Sequence, residues 1–155
     1  MEERLPRSAT MTEVVHIPFA ELLGLEVVRF ERDEADLALE LRDELCNSWS
    51  VAHGGATMTL LDVAMAHAAR SPDADGKVDP CGIVTIEMKT TFMQPGTGRL
   101  LARARRMHRT ASLAFCEATV LGGDGKLVAQ ATGTFKFVRA LAVGGKRIQR
   151  LNASD

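Results

Sequence analysis

Between Ala56 and Ala69 only Thr57, Thr59, Asp62 and His67 are polar. A helix apolar nearly all round is a buried helix, so the rest of the chain has to wrap it, and a curved sheet is the natural wrapper. The flanking stretches supply one. Residues 35–41 alternate, with Leu37, Leu39 and Leu41 on one face, which predicts a half-buried antiparallel strand. Residues 25–31 predict a strand before it, joined through the polar turn Arg32-Asp33-Glu34. Upstream, residues 16–24 predict a short helix, with Pro18 at a tolerated early position and Gly24 as the stop.

After the buried helix, Ser71–Lys77 has the composition of a surface loop, as does the longer connection over residues 42–52. Four strands follow, over residues 82–92, 98–108, 112–121 and 126–138. Gln94-Pro95-Gly96-Thr97-Gly98 opens the second, and Gly122-Gly123-Asp124-Gly125 is a hairpin signal before the fourth. The order is helix, two strands, one buried helix, four strands: an α+β domain over residues 16–140, with a six-stranded antiparallel sheet curled around one apolar helix. Residues 1–15 form an arm without periodicity, and residues 141–155 form an extension whose basic residues read as solvated.

Composition narrows the function classes. The 155-residue chain has a formal net charge of -1, so no basic excess points to nucleic acid. No apolar run reaches the roughly 20 residues that span a bilayer. The acidic N-terminus lacks an apolar signal region, so a cytoplasmic protein is the expectation. Three widely spaced cysteines, Cys46, Cys81 and Cys116, fit neither a zinc knuckle nor a disulfide framework and read as small buried thiols in a reducing compartment. His16 and His108 have no metal-ligand spacing to any cysteine or acid, so no metal is expected, and no cofactor.

Candidate chemistry concentrates on the apolar helix. Asp62 is the only carboxylate between Glu44 and Asp73. On so apolar a helix it is costly to bury unless paired, hydrogen-bonded or protonated. The His53-Gly54-Gly55 turn lies at the start of the same helix, where free N–H groups and the helix dipole favour developing negative charge.

The element order, the spacing Asn47…His53-Gly54-Gly55…Asp62, the stretches Val84-Thr85-Ile86-Glu87-Met88 and Phe92-Met93-Gln94-Pro95, and the run Gly125 to Ala129 with Thr132-Gly133-Thr134 together resemble the hotdog-fold thioesterases. The closest type is the phenylacetate-pathway branch of acyl-CoA thioesterases. The resemblance covers about residues 16–139. It implies hydrolysis of a small or aromatic acyl-CoA to free acid and CoA, with CoA as part of the substrate rather than a cofactor.

By the resemblance, Asp62 would act as general base for water or as direct nucleophile, and the Gly54 N–H would hold the thioester oxygen. His53 would orient the loop or the thioester, Asn47 would hydrogen-bond the water or the carbonyl, and Thr85 would hold the water. Trp49 would wall the acyl pocket or pack at a subunit interface. Ser50 departs from the branch, which often has glycine there. CoA would run along the turn from Arg106 to Ser112, meeting Arg105, Arg106, His108, Arg109, Thr110 and Ser112.

The resemblance further implies a homodimer or dimer of dimers. Asn47, His53 and Gly54 would come from one subunit, with Asp62 and Thr85 from the other. His67, five positions beyond Asp62, reads as structural or as part of an interface. Two alternatives stay open: a non-catalytic acyl-CoA-binding or regulatory domain, and a hydratase or dehydratase on the same fold.

Overall fold

A computed structural model describes residues 15–148 of the chain. The arm expected over residues 1–15 therefore lies outside the described residues except for Val15, as does the tail beyond residue 148. Helix α1 (Pro18–Leu23) starts on its proline and stops at Gly24, whose φ of 79° places it in the left-handed region that glycine tolerates. Strands β1 (Glu26–Glu31) and β2 (Glu34–Glu40) form the expected hairpin. A single 3-10 turn, Asp43–Leu45, lies within the following loop. Helix α2 (Gly54–Ala69) comes next, and then strands β3 (Gly82–Phe92), β4 (Arg99–Arg109), β5 (Leu113–Leu121) and β6 (Leu127–Val138).

The six strands form one antiparallel sheet in the order β1-β2-β4-β5-β6-β3, so β1 and β3 are its edges. Helix α2 touches all six strands. Six strands laid flat span roughly 24 Å, about twice a helix diameter, so a sheet that meets the helix along every strand has to curl. Leu60, Leu61, Ala64, Met65, Ala68 and Ala69 of α2 are fully enclosed. Leu37, Leu39, Leu100, Val120 and Phe135 come up from the sheet to meet them.

One stripe of α2 escapes the sheet. Gly55, Met58, Thr59, Asp62, Ala66 and the following Arg70 recur at helical spacing and keep part of their surface open. The helix is wrapped on most of its circumference, and its lone carboxylate sits in the middle of the gap.

Strand β2 is not half-buried as its alternation predicts. Ala35, Leu37 and Leu39 face the helix, but Asp36 and Ala38 on the other face are buried as well. Arg29 of β1 lies over that face, with its guanidinium 3.1 Å from Asp36 and 2.6 Å from Glu34. A methyl group and a short paired carboxylate are easily covered by a long neighbouring side chain.

The extension also carries structure. Strands β7 (Leu141–Val143) and β8 (Lys146–Ile148) form a separate hairpin through Gly144 and Gly145, with φ of 56° and 75°. Positive φ at both central residues is the type I′ requirement, so the Gly-Gly pair was a readable hairpin signal.

Candidate active site

Three features of the chain build the site: the loop before α2, the start of α2, and the middle of α2 beside edge strand β3.

The loop is organised by Asn47. Its Oδ1 accepts the Trp49 N–H at 2.9 Å and the Val51 N–H at 3.4 Å, and its own N–H donates to the Val51 carbonyl at 2.8 Å. This is an Asx turn. The side-chain oxygen is therefore occupied, and the amide Nδ2 remains to donate, which suits a carbonyl. Ser50, in the same loop, has φ of 59°. That is the conformation for which glycine is the relaxed choice, and it gives the physical reason for glycine at this place in the branch.

His53 is the N-cap of α2. Its Nδ1 accepts the Gly55 N–H at 2.9 Å, leaving the ring hydrogen on Nε2 and the ring itself exposed. The sequence places a histidine before the turn but gives no sign of this capping role, which Ser, Thr, Asp or Asn usually fill. A Cβ on Gly55 would lie 3.0 Å from that Nδ1, so a side chain there would dislodge the cap. Gly54 is the first helical residue, and its N–H has no acceptor among the described residues. It lies at the positive end of a sixteen-residue helix.

A cavity of about 590 Å³ opens beside Gly54. Trp49, Val51, Phe92, Met93, Pro95 and Val128 make most of its wall, and no charged side chain lines it. Phe92 and Met93 stand out in the sequence but receive no role there. Their signal is that they follow directly from an edge strand that runs back to the helix N-terminus. Trp49 is 84% exposed.

Asp62 is half-buried in the open stripe. Thr85 Oγ1 donates to its Oδ1 at 2.7 Å. A bulge after Thr85 skips Ile86 in the pairing with β6, so Thr85 turns toward the helix before the strand continues out of phase. Asp62 Oδ2 accepts nothing among the described residues and is open to a water or a reacting carbon.

The chain does not bring all predicted residues together. Asp62 and Thr85 meet, and Asn47, His53 and Gly54 cluster, but eight residues of one helix separate Gly54 from Asp62, about 12 Å of rise. The expected CoA turn lies at the far end of α2. Arg106 donates to the Ala69 carbonyl at 2.9 Å and to Asp33 Oδ1 at 2.5 Å, which ties the helix C-terminus to the β1–β2 turn. Arg109 pairs with Asp79 and lies 4.0 Å over the Phe137 ring. Arg105 pairs with Glu117 at 2.6 Å, and His108 stacks on Phe115. Thr110 Oγ1 accepts the Leu113 N–H at 3.0 Å and the Ser112 N–H at 3.3 Å, closing the β4–β5 turn. These arginines are engaged within the chain, across 73 and 30 residues for Arg106 and Arg109, pairings that no local pattern announces.

His67 is buried. Its Nδ1 lies 2.8 Å from the Val63 carbonyl and its ring meets Phe30 edge-on, while burial holds its pKa below the ordinary value. Of the three cysteines expected to be buried, Cys116 is, and burial pushes its thiol up to about 12, against a thiolate role, whereas Cys46 and Cys81 keep part of their surface open. No helix among the described residues is long and apolar enough to cross a membrane.

A sequence profile of the thioesterase superfamily matches residues 50–129, the span from the loop to the start of β6. The chain belongs to the thioesterase superfamily, in its hotdog fold, and its class is that of thioester-hydrolysing enzymes. Among relatives, it is 29% identical over 136 residues to the medium/long-chain acyl-CoA thioesterase YigI of Salmonella typhimurium, covering 79% of this chain and 86% of the relative. The conserved protein PA5202 of Pseudomonas aeruginosa is similar in structure, with 32% identity, a TM-score of 0.73, and coverage of 84% of this chain and 99% of that one. The PaaI protein of the E. coli phenylacetic acid degradation operon shares the fold at 21% identity and a TM-score of 0.71, over 79% of this chain and 86% of that one.

Proposed function

We propose that the protein is an acyl-CoA thioesterase whose active site joins Asp62 and Thr85 of one subunit to Gly54, His53 and Asn47 of a second. The observation that carries the reading is the Thr85–Asp62 hydrogen bond, set in the one stripe of a buried helix that the sheet leaves open. Asp62 takes a proton from water, and the resulting hydroxide attacks the thioester carbon. The oxyanion forms against the Gly54 N–H, aided by the Asn47 amide. The C–S bond then breaks, and the thiolate of CoA receives the proton held by Asp62. Because the Thr85 hydrogen is spent on Asp62, its oxygen is free to accept from the attacking water and aim it. Direct attack by Asp62 would instead pass through a mixed anhydride that water then cleaves.

The spacing of the two groups on α2 supports a site shared by two subunits. One carbonyl cannot lie about 3 Å from groups that are about 12 Å apart on a rigid helix. Edge strand β3, eleven residues long and unpaired on one side, is the kind of edge that pairs with another copy. The cavity beside Gly54 has no charge in its lining, which supports an uncharged acyl group. A medium or long chain, as in the name of the YigI relatives, and an aromatic acid against Trp49 both meet that condition.

The test is release of free CoA, read with a thiol reagent, across a panel of acyl-CoAs of increasing length, with phenylacetyl-CoA and a carboxylate-ended member included. Uncharged members should turn over, and Asp62→Asn should lower kcat by about 10²–10⁴-fold with the fold unchanged. Turnover equal in wild type and Asp62→Asn would remove Asp62 from the chemistry. Tight CoA binding with no turnover on any member would favour the non-catalytic alternative.

A further inference from the structure

The C-terminal segment has a charge pattern that the site described so far does not use. Residues 125–154 contain Lys126, Lys136, Arg139, Lys146, Arg147 and Arg150 and no carboxylate. The remainder of the chain holds 13 cations against 20 acids. Within this stretch the β7–β8 hairpin is not paired to the main sheet, and all eight residues from Leu141 to Ile148 are exposed. Lys136, Arg139, Lys146 and Arg147 make no ion pair among the described residues. Arg106 and Arg109, by contrast, are already matched to Asp33 and Asp79.

The hairpin is also at a useful distance. Thr85, which holds Asp62, pairs with Phe135 on β6, and Gly82 pairs with Val138 at the end of that strand. From Phe135 to Arg139 is four residues of extended chain, about 13 Å. The arm between the sulfur and the phosphates of CoA has the backbone length of four to five extended residues, roughly 15 Å. A CoA thioester at Asp62 whose arm follows β3 toward Gly82 would therefore bring its phosphates to the segment whose cations make no ion pair among the described residues.

We infer that the β7–β8 hairpin and the strand end leading into it form the phosphate-binding arm for the 3′-phosphonucleotide of CoA, with Arg139, Lys146 and Arg147 as the contacting cations. This rests on the acyl-CoA reading above. It moves phosphate recognition from the β4–β5 turn, whose arginines are occupied, to an element that contributes little to the core. Arginine offers paired donors to phosphate and lysine a compact charge, so the three together match a multiply charged nucleotide.

The experiment uses the full chain and the triple variant Arg139→Glu/Lys146→Glu/Arg147→Glu, in which every changed residue is solvent-exposed. Binding of 3′,5′-ADP is measured by calorimetry at low and high salt, and kcat/KM is compared for one acyl group carried on CoA and on pantetheine. The variant should bind 3′,5′-ADP about tenfold or more weakly at low salt, with the gap closing at high salt. Its preference for the CoA thioester over the pantetheine thioester should fall by a similar factor. Unchanged 3′,5′-ADP affinity overturns the inference. So does a variant that loses only adhesion to phosphatidylglycerol vesicles. A wild-type protein that hydrolyses no thioester but binds 3′,5′-ADP through these residues sinks the catalytic reading and leaves the arm standing.

Discussion

Replacing Gly54 with proline deletes one hydrogen-bond donor and disturbs little else. Gly54 is the first residue of α2, and its N–H has no acceptor among the described residues. Proline is well suited to that position because the missing N–H has no partner inside the helix. The residue before it, His53, already has φ of -63° and ψ of 136°, the extended conformation that a following proline demands. A Cβ at position 54 would lie 3.5 Å from the Phe92 ring, an ordinary contact. Stiffening the unfolded chain contributes about 0.4–1 kcal/mol, so Tm should hold or rise by a few degrees. If this N–H holds the oxyanion, kcat should fall by about 10²–10³-fold, or about 2.7–4 kcal/mol of barrier. Thiol release gives kcat, and a thermal melt gives Tm. Refolding Gly54→Pro with Asp62→Asn adds the subunit question. Each mixed dimer then holds one intact site, and random mixing should restore about a quarter of the wild-type rate. A kcat for Gly54→Pro within about threefold of wild type would take the oxyanion role away from this N–H. The two-subunit site is refuted if mixing restores nothing while each variant alone is dimeric and folded.

Thr85→Val should lower kcat by about 10–100-fold, the value of a hydrogen bond to a charged group, and Thr85→Ser should recover most of it. Failure of serine to rescue would make the hydroxyl incidental. Arg106→Ala should cost about 1–3 kcal/mol in urea unfolding, because the helix C-terminus loses its partner, with KM for acyl-CoA nearly unchanged; raised KM at full stability would return Arg106 to phosphate binding. His67 titrates lower in the folded protein than unfolded, chiefly through burial, with Arg70 nearby adding to it. The unfolded chain therefore binds more protons, and stability is complete above the ordinary histidine pKa and declines as pH falls below about 6.5. Urea midpoints across that range should show the decline, and His67→Gln should flatten it.

The elements were legible because their periods differ so sharply. A stretch of fourteen residues with ten apolar positions spread round the helix does not read as a surface helix, and the strand stretches alternate between recognisable turns. The bulges that reset β1, β3 and β4 were not legible, since nothing local marks Val28, Ile86 or Met107 as the skipped residue. The bulge in β3 matters most, because it aims Thr85 at Asp62. In the candidate site, the residue types on the Asn47–Asp62 segment pointed to the proposed chemistry, but their local work did not show. Asn47 spends its oxygen on the loop, and His53 caps the helix it precedes. The arginines of the β4–β5 turn looked free because their carboxylates, Asp33 and Asp79, lie far away in sequence. The Gly144-Gly145 turn, in contrast, was present in the sequence as an ordinary hairpin signal.

If the active site joins two subunits as proposed, the open stripe of α2 fixes where the symmetric partner stands. A twofold axis that sets residue 54 of one helix beside residue 62 of the other does so twice, with the two helices running in opposite directions. Positions on the two copies then sum to 116, and the residue that meets itself is 58. Met58 is on the stripe and half-open, and its long, compliant side chain suits a self-contact whose spacing must adjust. In that arrangement the dimer axis passes between two copies of one methionine, and a cysteine placed there would, on oxidation, join the two proposed active sites by one disulfide.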